Sequence, residues 1–480
     1  MTNEHQKIEY GDWQTPPELA ARICHKLVEI GVNPNVIIEP TCGIGTFVKA
    51  AAEIFSQSRQ IVGIEINQDY VDLLQAQLAP TDTRVQAQHG DFFKLDWKSI
   101  VEKSSGEVLV IGNLPWVTNS VQGVTGGTNL PLKTNFQFRN GIEAMTGKSN
   151  FDISEWMLMQ LADALRESQG TMAILCKTSV ARKVMNHLRQ NHFPVKEAAL
   201  FKIDAAKYFD AAVDACLLFC QFGGLVREFD YMIHDDLDTL QGSRTGWRKN
   251  VMISNLSAFD ETEELFGHSD YKWRSGIKHD CSEVMELKSI DGILYNGLGE
   301  EVSIEDDFLY PLFKGSDIAN SRDTTNRFLL VPQKSPGEET RGIQVYAPKT
   351  WEYLAAHRSN LERRKSRIYE NSPPFSVFGV GSYTFLNWKI AICGLYKKLE
   401  FKLIGPINDK PVVFDDTVYF LSYKTEDEAR AVLNFINRDK TLKFLDSMIF
   451  WDEKRPIKSS VLNSLKLPSS NAQTNWLIER

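Results

Sequence analysis

The residues best suited to chemistry follow short apolar segments in the first third of the chain. The first such group is a glycine-rich turn, Glu39-Pro40-Thr41-Cys42-Gly43-Ile44-Gly45-Thr46-Phe47. Gly43 and Gly45 let backbone amides approach a ligand closely, and the start of the helix that follows directs its positive end to the same point. The third glycine of a dinucleotide fingerprint and the Gly-Lys-Ser/Thr of a P-loop are both missing from this turn. The segment therefore predicts a nucleotide-cofactor site and argues against NAD and ATP.

Two later apolar segments also end in a carboxylate. Glu65 lies about twenty residues after the glycines, where a carboxylate can accept hydrogen bonds from both ribose hydroxyls of an adenosine; Ile66 follows it. Asp91 ends the next segment and could accept the adenine amino group, while Phe92 beside it could cover the ring. Taken singly, these residues are equally well explained as solvated carboxylates and a core phenylalanine. Their recurrence at consecutive strand ends favours one ligand-binding edge of a sheet.

The motif after the fourth apolar segment is Gly112-Asn113-Leu114-Pro115-Trp116. In order and identity, these segments resemble the gamma-class amino-methyltransferases of DNA, whose Asn-Pro-Pro-aromatic motif occupies this place. The segment 11–17 resembles the part of that family that touches the methionine portion of the cofactor, and the helix start at 150–152 also fits. The likeness spans about residues 10 to 222. Leu114 departs from it, because the family usually has proline there.

The resemblance implies an S-adenosylmethionine-dependent methyltransferase that acts on an exocyclic amine of double-stranded DNA, with adenine N6 as the expected target. The expected catalytic residues are Asn113, Leu114, Pro115, Trp116 and Phe209. The expected cofactor-binding residues are Gln14, Thr15, Glu39, Thr41, Cys42, Gly43, Gly45, Phe47, Glu65, Ile66, Asp91, Phe92, Asn113 and Pro115. No metal is expected.

The implied mechanism depends on positioning. An aromatic amine is a weak nucleophile because its lone pair is delocalised into the ring. Acceptors on the Asn113 side chain and the Leu114 carbonyl would turn that pair towards the cofactor methyl, and orientation can contribute about 7–11 kcal/mol. The base must leave the duplex, at a cost of a few kcal/mol, and stacking on Trp116 with Phe209 nearby would offset about 1–3 kcal/mol. Leucine keeps the required carbonyl but gives up the fixed φ of proline.

The elements that must position these residues predict an α/β fold. Helix-like and strand-like stretches alternate from about residue 20 to 222, as a parallel sheet with flanking helices requires. We expect a Rossmann-like methyltransferase domain with a mostly parallel seven-stranded sheet over residues 1–225, followed by a connector packed on it over 226–268. Residues 269–480 should form an α+β domain, loosely resembling a target-recognition domain. The segment 117–150, rich in Gly, Asn and Thr, is predicted to be a lid or substrate-binding loop.

Composition limits the class of protein. A length of 480 residues with 42% apolar and 24% charged residues is typical of a globular protein with two domains. No apolar run approaches the roughly 20 residues that span a bilayer, so a cytoplasmic protein is expected. The seven scattered cysteines indicate reduced, mostly buried thiols. A net charge of -8 leaves the partner open, since only a contact face must be basic.

Three segments of the second half mix cationic and aromatic residues and suit phosphate contacts: 271–279, 358–367 and 451–456. A solvated helix face with ion pairs explains 358–367 equally well. Cytosine N4, adenine in RNA and a glutamine amide in protein are alternative acceptors, and a DNA-binding protein with an inactive methyltransferase fold is an alternative of another class. No nuclease motif is found. If cleavage accompanies modification, a separate restriction endonuclease is expected to perform it.

Overall fold

The computed structural model describes residues 14–78, 82–116, 152–224, 229–239 and 241–468. It divides into two compact units, Met1–Met252 and Ile253–Arg480. No helix among the described residues is both long enough and apolar enough to cross a membrane. All seven cysteines are buried and free, which confirms the prediction of buried thiols.

The first unit alternates strands and helices along the chain. Its helices are α1 (Pro17–Glu29), α2 (Thr46–Ile54), α3 (Gln68–Leu78), α4 (Trp97–Glu102), α5 (Ile153–Leu165), α6 (Thr178–Gln190) and α7 (Ala205–Phe209). Its strands are β1 (Val36–Glu39), β2 (Gln60–Glu65), β3 (Val85–His89), β4 (Val108–Asn113), β5 (Thr171–Lys177), β6 (Val195–Ile203), β7 (Ala215–Phe222), β8 (Tyr231–His234), β9 (Gly242–Arg248) and β10 (Val251–Ile253). The last strand reaches the boundary between the units.

These strands form one sheet in the order β10-β9-β8-β6-β7-β5-β4-β1-β2-β3. Strands β1 to β5 run parallel to one another, and β7 runs antiparallel between β5 and β6. The predicted Rossmann-like fold is confirmed, and its seven strands are extended by β8, β9 and β10. All three of these strands come from residues 226–268, for which the sequence predicts a connector, and from Ile253 onward the chain belongs to the second unit.

The central strands are buried on both faces, which explains their continuous apolar sequences. Along β4, Val108 and Val110 pack in the hydrophobic cluster of one face, while Leu109 and Ile111 pack in the cluster of the other. Helices α1, α2 and α3 cover the second face, and α4, α5 and α6 cover the first. The carboxyl ends of β1, β2, β3, β4 and β5 therefore share one edge of the sheet.

The described residues of the second unit form the strands β11 (Arg274–Ser275), β12 (Glu286–Ile290), β13 (Ile293–Tyr295), β14 (Glu301–Val302), β15 (Leu309–Phe313), β16 (Arg327–Leu330), β17 (Trp388–Cys393), β18 (Lys402–Ile404), β19 (Val413–Phe414) and β20 (Val418–Tyr423). These strands form two smaller sheets. One has the order β11-β20-β17-β18 and the other β14-β13-β12-β16-β15-β19. The helices are α8 (Leu256–Asp260), α9 (Ser282–Met285), α10 (Gly315–Ala319), α11 (Ile343–Tyr346), α12 (Pro348–Ala356), α13 (Arg358–Glu362), α14 (Glu426–Ile436), α15 (Asp439–Met448) and α16 (Ser459–Leu462).

Candidate active site

The glycine turn joins β1 to α2 and has a left-handed backbone at two positions. Gly43 has φ +53° and Gly45, the N-cap of α2, has φ +79°. A Cβ at Gly43 would lie 2.7 Å from the side-chain amide of Gln14, and one at Gly45 would clash with Leu74 of α3. Gln14 also accepts a 3.4 Å hydrogen bond from the Ile44 N–H. The turn, which we call the glycine cradle, therefore has no room for a Cβ at either glycine, and Gln14 lies against it.

Three other residues predicted to bind the cofactor are buried. Cys42 and Phe47 belong to the hydrophobic cluster of one face of the sheet, and Thr15 is also buried. The Cys42 N–H donates to the Ile64 carbonyl at 2.9 Å, which ties the turn to β2. The side chains of Cys42 and Phe47 thus support the turn from the core.

Two carboxylates stand on either side of the turn. The Glu65 carboxylate accepts hydrogen bonds from the Gly43 N–H at 2.8 Å and the Asn67 N–H at 3.0 Å. Glu39 is buried and accepts from the Val48 N–H at 3.0 Å. Burial raises the pKa of the Glu39 carboxyl well above its usual range, and Glu65 raises it further against the lowering effect of the Val48 bond. A carboxylate beside the turn is the type of acceptor that ribose hydroxyls require.

The residues predicted to lie near the adenine differ in their exposure to solvent. Ile66 is 39% exposed at the end of β2, whereas Phe92 is only 5% exposed. The Phe92 ring packs against Trp97 with a centroid distance of 4.6 Å, inside the cluster on the other face of the sheet. Asp91 accepts a 3.0 Å hydrogen bond from the Phe93 N–H and pairs with Lys94. Ile66 is therefore the exposed apolar side chain at this edge, while Phe92 supports the loop from within.

The Asn113 motif begins with the last two residues of β4 and is tied to the glycine turn. Thr41 Oγ1 donates a 3.2 Å hydrogen bond to the Asn113 carbonyl. Gly112 has φ +156°, and a Cβ there would lie 3.3 Å from Glu39 Cγ. Leu114 is 1% exposed and belongs to the hydrophobic core. Leucine lacks the fixed φ that proline would give this position, but its buried side chain holds the motif in the core. Full burial of a leucine is worth about 1.5–3 kcal/mol.

The structure brings the two predicted base-stacking aromatics together. The rings of Trp116 and Phe209 meet edge to face with centroids 5.1 Å apart, and both are buried. Trp116 Nε1 donates to the Leu175 carbonyl at 3.5 Å. A base held between the two rings must therefore separate them.

Lys177, at the end of β5, is a site residue that the sequence analysis misses. Its ammonium donates to the Trp116 carbonyl at 3.2 Å and to Asp152 Oδ2 at 2.7 Å. Asp152 caps the start of α5, where it accepts from the Ser154 N–H at 3.1 Å. Lys177 thus joins Trp116, the last residue of the Asn113 motif, to Asp152, the next residue that the structure describes. The predicted loop 117–150, including Asn150 and its basic residues, and the segment 11–13 lie outside the described residues.

In the second unit, some residues of the three segments predicted to contact phosphate are directed into the protein. Trp273 is 2% exposed, and the Arg364 guanidinium lies 3.7 Å from the Tyr369 ring centroid and donates to the Ser376 carbonyl at 2.7 Å. Other cations of the predicted segments are paired with carboxylates, as Arg358 is with Glu362 at 3.6 Å. The exposed cations of these segments include Lys272, Arg363, Lys365, Arg367, Lys454 and Arg455.

A Rossmann-like sheet with a glycine cradle after β1, a carboxylate at the end of β2 and the Asn113 motif at the end of β4 is the arrangement of an S-adenosylmethionine-dependent methyltransferase. Comparison with known proteins is more specific: the chain is 51% identical over 467 residues to the type II methyltransferase M.NspV of Nostoc sp., across 97% of each protein. The chain belongs to the type II methyltransferases.

Two further similarities concern the fold. Residues 15–191, less than half of the chain, match the family model described as ribosomal RNA adenine dimethylase. The type IIL restriction-modification enzyme MmeI, solved in complex with DNA, matches with a TM-score of 0.58 and 12% identity over 96% of this chain and 69% of that one. The MmeI similarity shows a shared fold that extends through both units.

Proposed function

We propose that the first unit transfers the methyl group of S-adenosylmethionine to N6 of an adenine rotated out of a specific double-stranded DNA sequence. The second unit is proposed to recognise that sequence. The observation that carries the proposal is the 3.2 Å hydrogen bond from Thr41 Oγ1 to the Asn113 carbonyl, because it holds the amine-acceptor motif against the cofactor cradle. The enzyme would act in a restriction-modification system or as an independent modification enzyme.

S-adenosylmethionine supplies a methyl group on a positively charged sulfur, which is a good leaving group. Gln14 and the amides of the glycine turn would hold its methionine portion, while Glu65 would accept its ribose hydroxyls. Asn113 Oδ1 and the Leu114 carbonyl would accept the two hydrogens of the target amine. The buried Leu114 side chain and the Lys177 bond to the Trp116 carbonyl hold this motif from both ends. Fixed geometry of this kind can supply about 7–11 kcal/mol.

Base entry would involve Trp116 and Phe209. The two rings are in edge-to-face contact, and the flipped base would replace one ring as the neighbour of the other. Aromatic stacking on a base is worth about 1–3 kcal/mol, which offsets much of the loss of stacking and pairing in the duplex.

Adenine is supported by the match of residues 15–191 to a family described by adenine dimethylation. Duplex DNA is supported by the shared fold with MmeI, whose structure was solved in complex with DNA. The 51% identity to a type II methyltransferase supports a sequence-specific substrate.

The test is transfer of a labelled methyl group from S-adenosylmethionine to duplex DNA, followed by digestion and nucleoside analysis. We expect N6-methyladenine at one sequence context, which sequencing of modified bases would identify. N4-methylcytosine as the product would overturn the choice of adenine, and labelling of a protein pool alone would overturn the proposal.

Adenine in RNA is a second candidate, favoured by the same match to a ribosomal RNA dimethylase model. Parallel reactions with ribosomal RNA separate the two. Methylated RNA together with unmodified DNA would establish the second candidate in place of the first.

A further inference from the structure

A cleft in the second unit gathers cations that the sequence segments 271–279, 358–367 and 451–456 do not include. It has a volume of about 770 Å³, and its lining includes Lys288, Arg322, Thr324, Asn326 and Arg327. All of these side chains carry hydrogen-bond donors. The cleft is thus a concave surface able to donate to an anion from several directions.

The strand register brings two of these cations together. Lys288 of β12 and Arg327 of β16 are direct Cα partners in an antiparallel pair, so their side chains stand side by side on one face. Like charges directly opposite each other in a sheet are destabilising. A bound anion would remove this repulsion.

A buried carboxylate holds the two arginines in place. Asp317 is 1% exposed; it accepts from Arg322 at 3.1 Å and also from Arg327. Each guanidinium has five N–H donors, so most remain available to another acceptor. The Arg322 side chain is 59% exposed and that of Arg327 is 28% exposed. Asp317 therefore orients the arginines from behind and leaves their outer donors to the cleft.

We propose that this cleft binds a phosphate of the nucleic-acid backbone, and that Lys288, Arg322 and Arg327 are its ligands. Planar guanidinium groups bind phosphate in a bidentate manner, and Thr and Asn side chains commonly add hydrogen bonds to backbone oxygens. Asp323, an exposed residue of the lining, opposes the binding of any anion. The proposal rests on the proposed function in that DNA supplies the phosphate.

The test compares salt dependence of binding to a labelled random-sequence duplex, measured by fluorescence anisotropy with the full chain. Lys288→Gln and Arg322→Gln should each lower the slope of log Kd against log salt, by at most about 0.9, the value for the complete loss of one phosphate contact. In Arg322→Gln, the buried Asp317 keeps its ion pair with Arg327 and so is not left without a cation. Asp323→Asn should tighten binding at low salt. Thermal unfolding followed by circular dichroism, compared with wild type, reports that the second unit of each variant is folded.

Arg430→Gln is the matched control, since Arg430 is 58% exposed and pairs with Glu426 on α14, outside the cleft. It should keep the wild-type slope. If wild type binds DNA with a steep slope and both cleft variants match it, the cleft proposal is overturned while the proposed function stands. If wild type shows no salt-dependent binding to DNA, both are overturned. Binding of inorganic phosphate that Arg322→Gln abolishes, with an unchanged DNA slope, would identify a free-phosphate site instead.

Discussion

At the scale of single residues, the amide of Asn113 carries the proposed chemistry, since it lies at the end of β4 beside the glycine turn. Asn113→Ala removes one of the two proposed acceptors for the target amine. We expect the single-turnover rate at saturating cofactor to fall at least about 100-fold, the usual effect of losing one preorganised hydrogen bond to a reacting group. Asn191→Ala, which removes an amide bonded to the His187 carbonyl of its own helix, should leave the rate unchanged. Intact turnover in Asn113→Ala would refute the acceptor role.

Lys177 is expected to position the motif, because it bonds both the Trp116 carbonyl and Asp152. Lys177→Met should lower the methylation rate at least tenfold and destabilise the fold by about 1–3 kcal/mol, since Asp152 is left buried without its cation. Lys177→Arg should recover part of the rate, because a guanidinium can span the same two acceptors. The rate is measured in single turnovers and the stability by thermal unfolding.

The control for Lys177 is Lys183, which makes the same type of pair with a buried carboxylate. Lys183 Nζ lies 2.7 Å from Glu155, whose side chain is 1% exposed, and no hydrogen bond joins it to the Asn113 motif among the described residues. Lys183→Met should therefore lower stability without slowing methylation. An equal loss of rate in both variants would show that Lys177 acts only through stability.

At the scale of elements, the glycine turn tests whether backbone conformation or space matters for cofactor binding. Gly45→Ala imposes left-handed strain of about 1–2 kcal/mol and a clash with Leu74 of α3. Gly31→Ala is the control: Gly31 has φ +87° and nothing lies within 4 Å of a Cβ there, so this variant has the backbone strain without a clash. Gly45→Ala should lose more stability than Gly31→Ala, because the clash adds to the strain, and only Gly45→Ala should weaken binding of S-adenosylmethionine in calorimetry. Equal affinities would contradict the placement of the cofactor at this turn.

Elements with continuous apolar sequences could be predicted because the fold buries them on both faces. β4 contributes residues to both hydrophobic clusters, and its sequence predicts a strand at 108–111. β9, Gly242–Arg248, is mostly polar and partly exposed, so its sequence gives no strand signal. Lys177 has partners 61 and 25 residues away, a distance at which local patterns carry no information. The inward turn of Phe92 likewise depends on packing against Trp97.

At the scale of the whole molecule, composition is a poor guide to surface charge. Arg364 is counted with a basic cluster in the sequence, yet in the structure it donates to the carbonyls of Ser376 and Leu361 from inside the second unit. Lys288 and Arg327, which lie far apart in the sequence, become neighbours through the pairing of β12 with β16. With a net charge of -8, DNA binding would therefore depend on local cation clusters that only the fold assembles.

Stability of the second unit should depend on pH through one fully buried lysine. Lys389 on β17 donates to the Leu386 carbonyl at 2.6 Å and the Val412 carbonyl at 2.7 Å. Burial lowers the pKa of Lys389 from 10.5 to about 7. Between these values the folded chain has released the proton and the unfolded chain has not, so stability should rise with pH by as much as about 5 kcal/mol.

Lys389→Met removes this titration and should flatten the dependence of the unfolding free energy on pH over that range. At neutral pH the change in stability should be small, because the loss of a buried charge is offset by two carbonyls left without a donor, each costing about 1–3 kcal/mol. At alkaline pH the variant should be less stable than wild type. There the neutral Lys389 amine of wild type donates to both carbonyls, and no charge has to be buried. Lys398→Met, which removes an exposed lysine, should keep the wild-type slope. A wild-type slope that persists in Lys389→Met would assign the pH dependence to other groups.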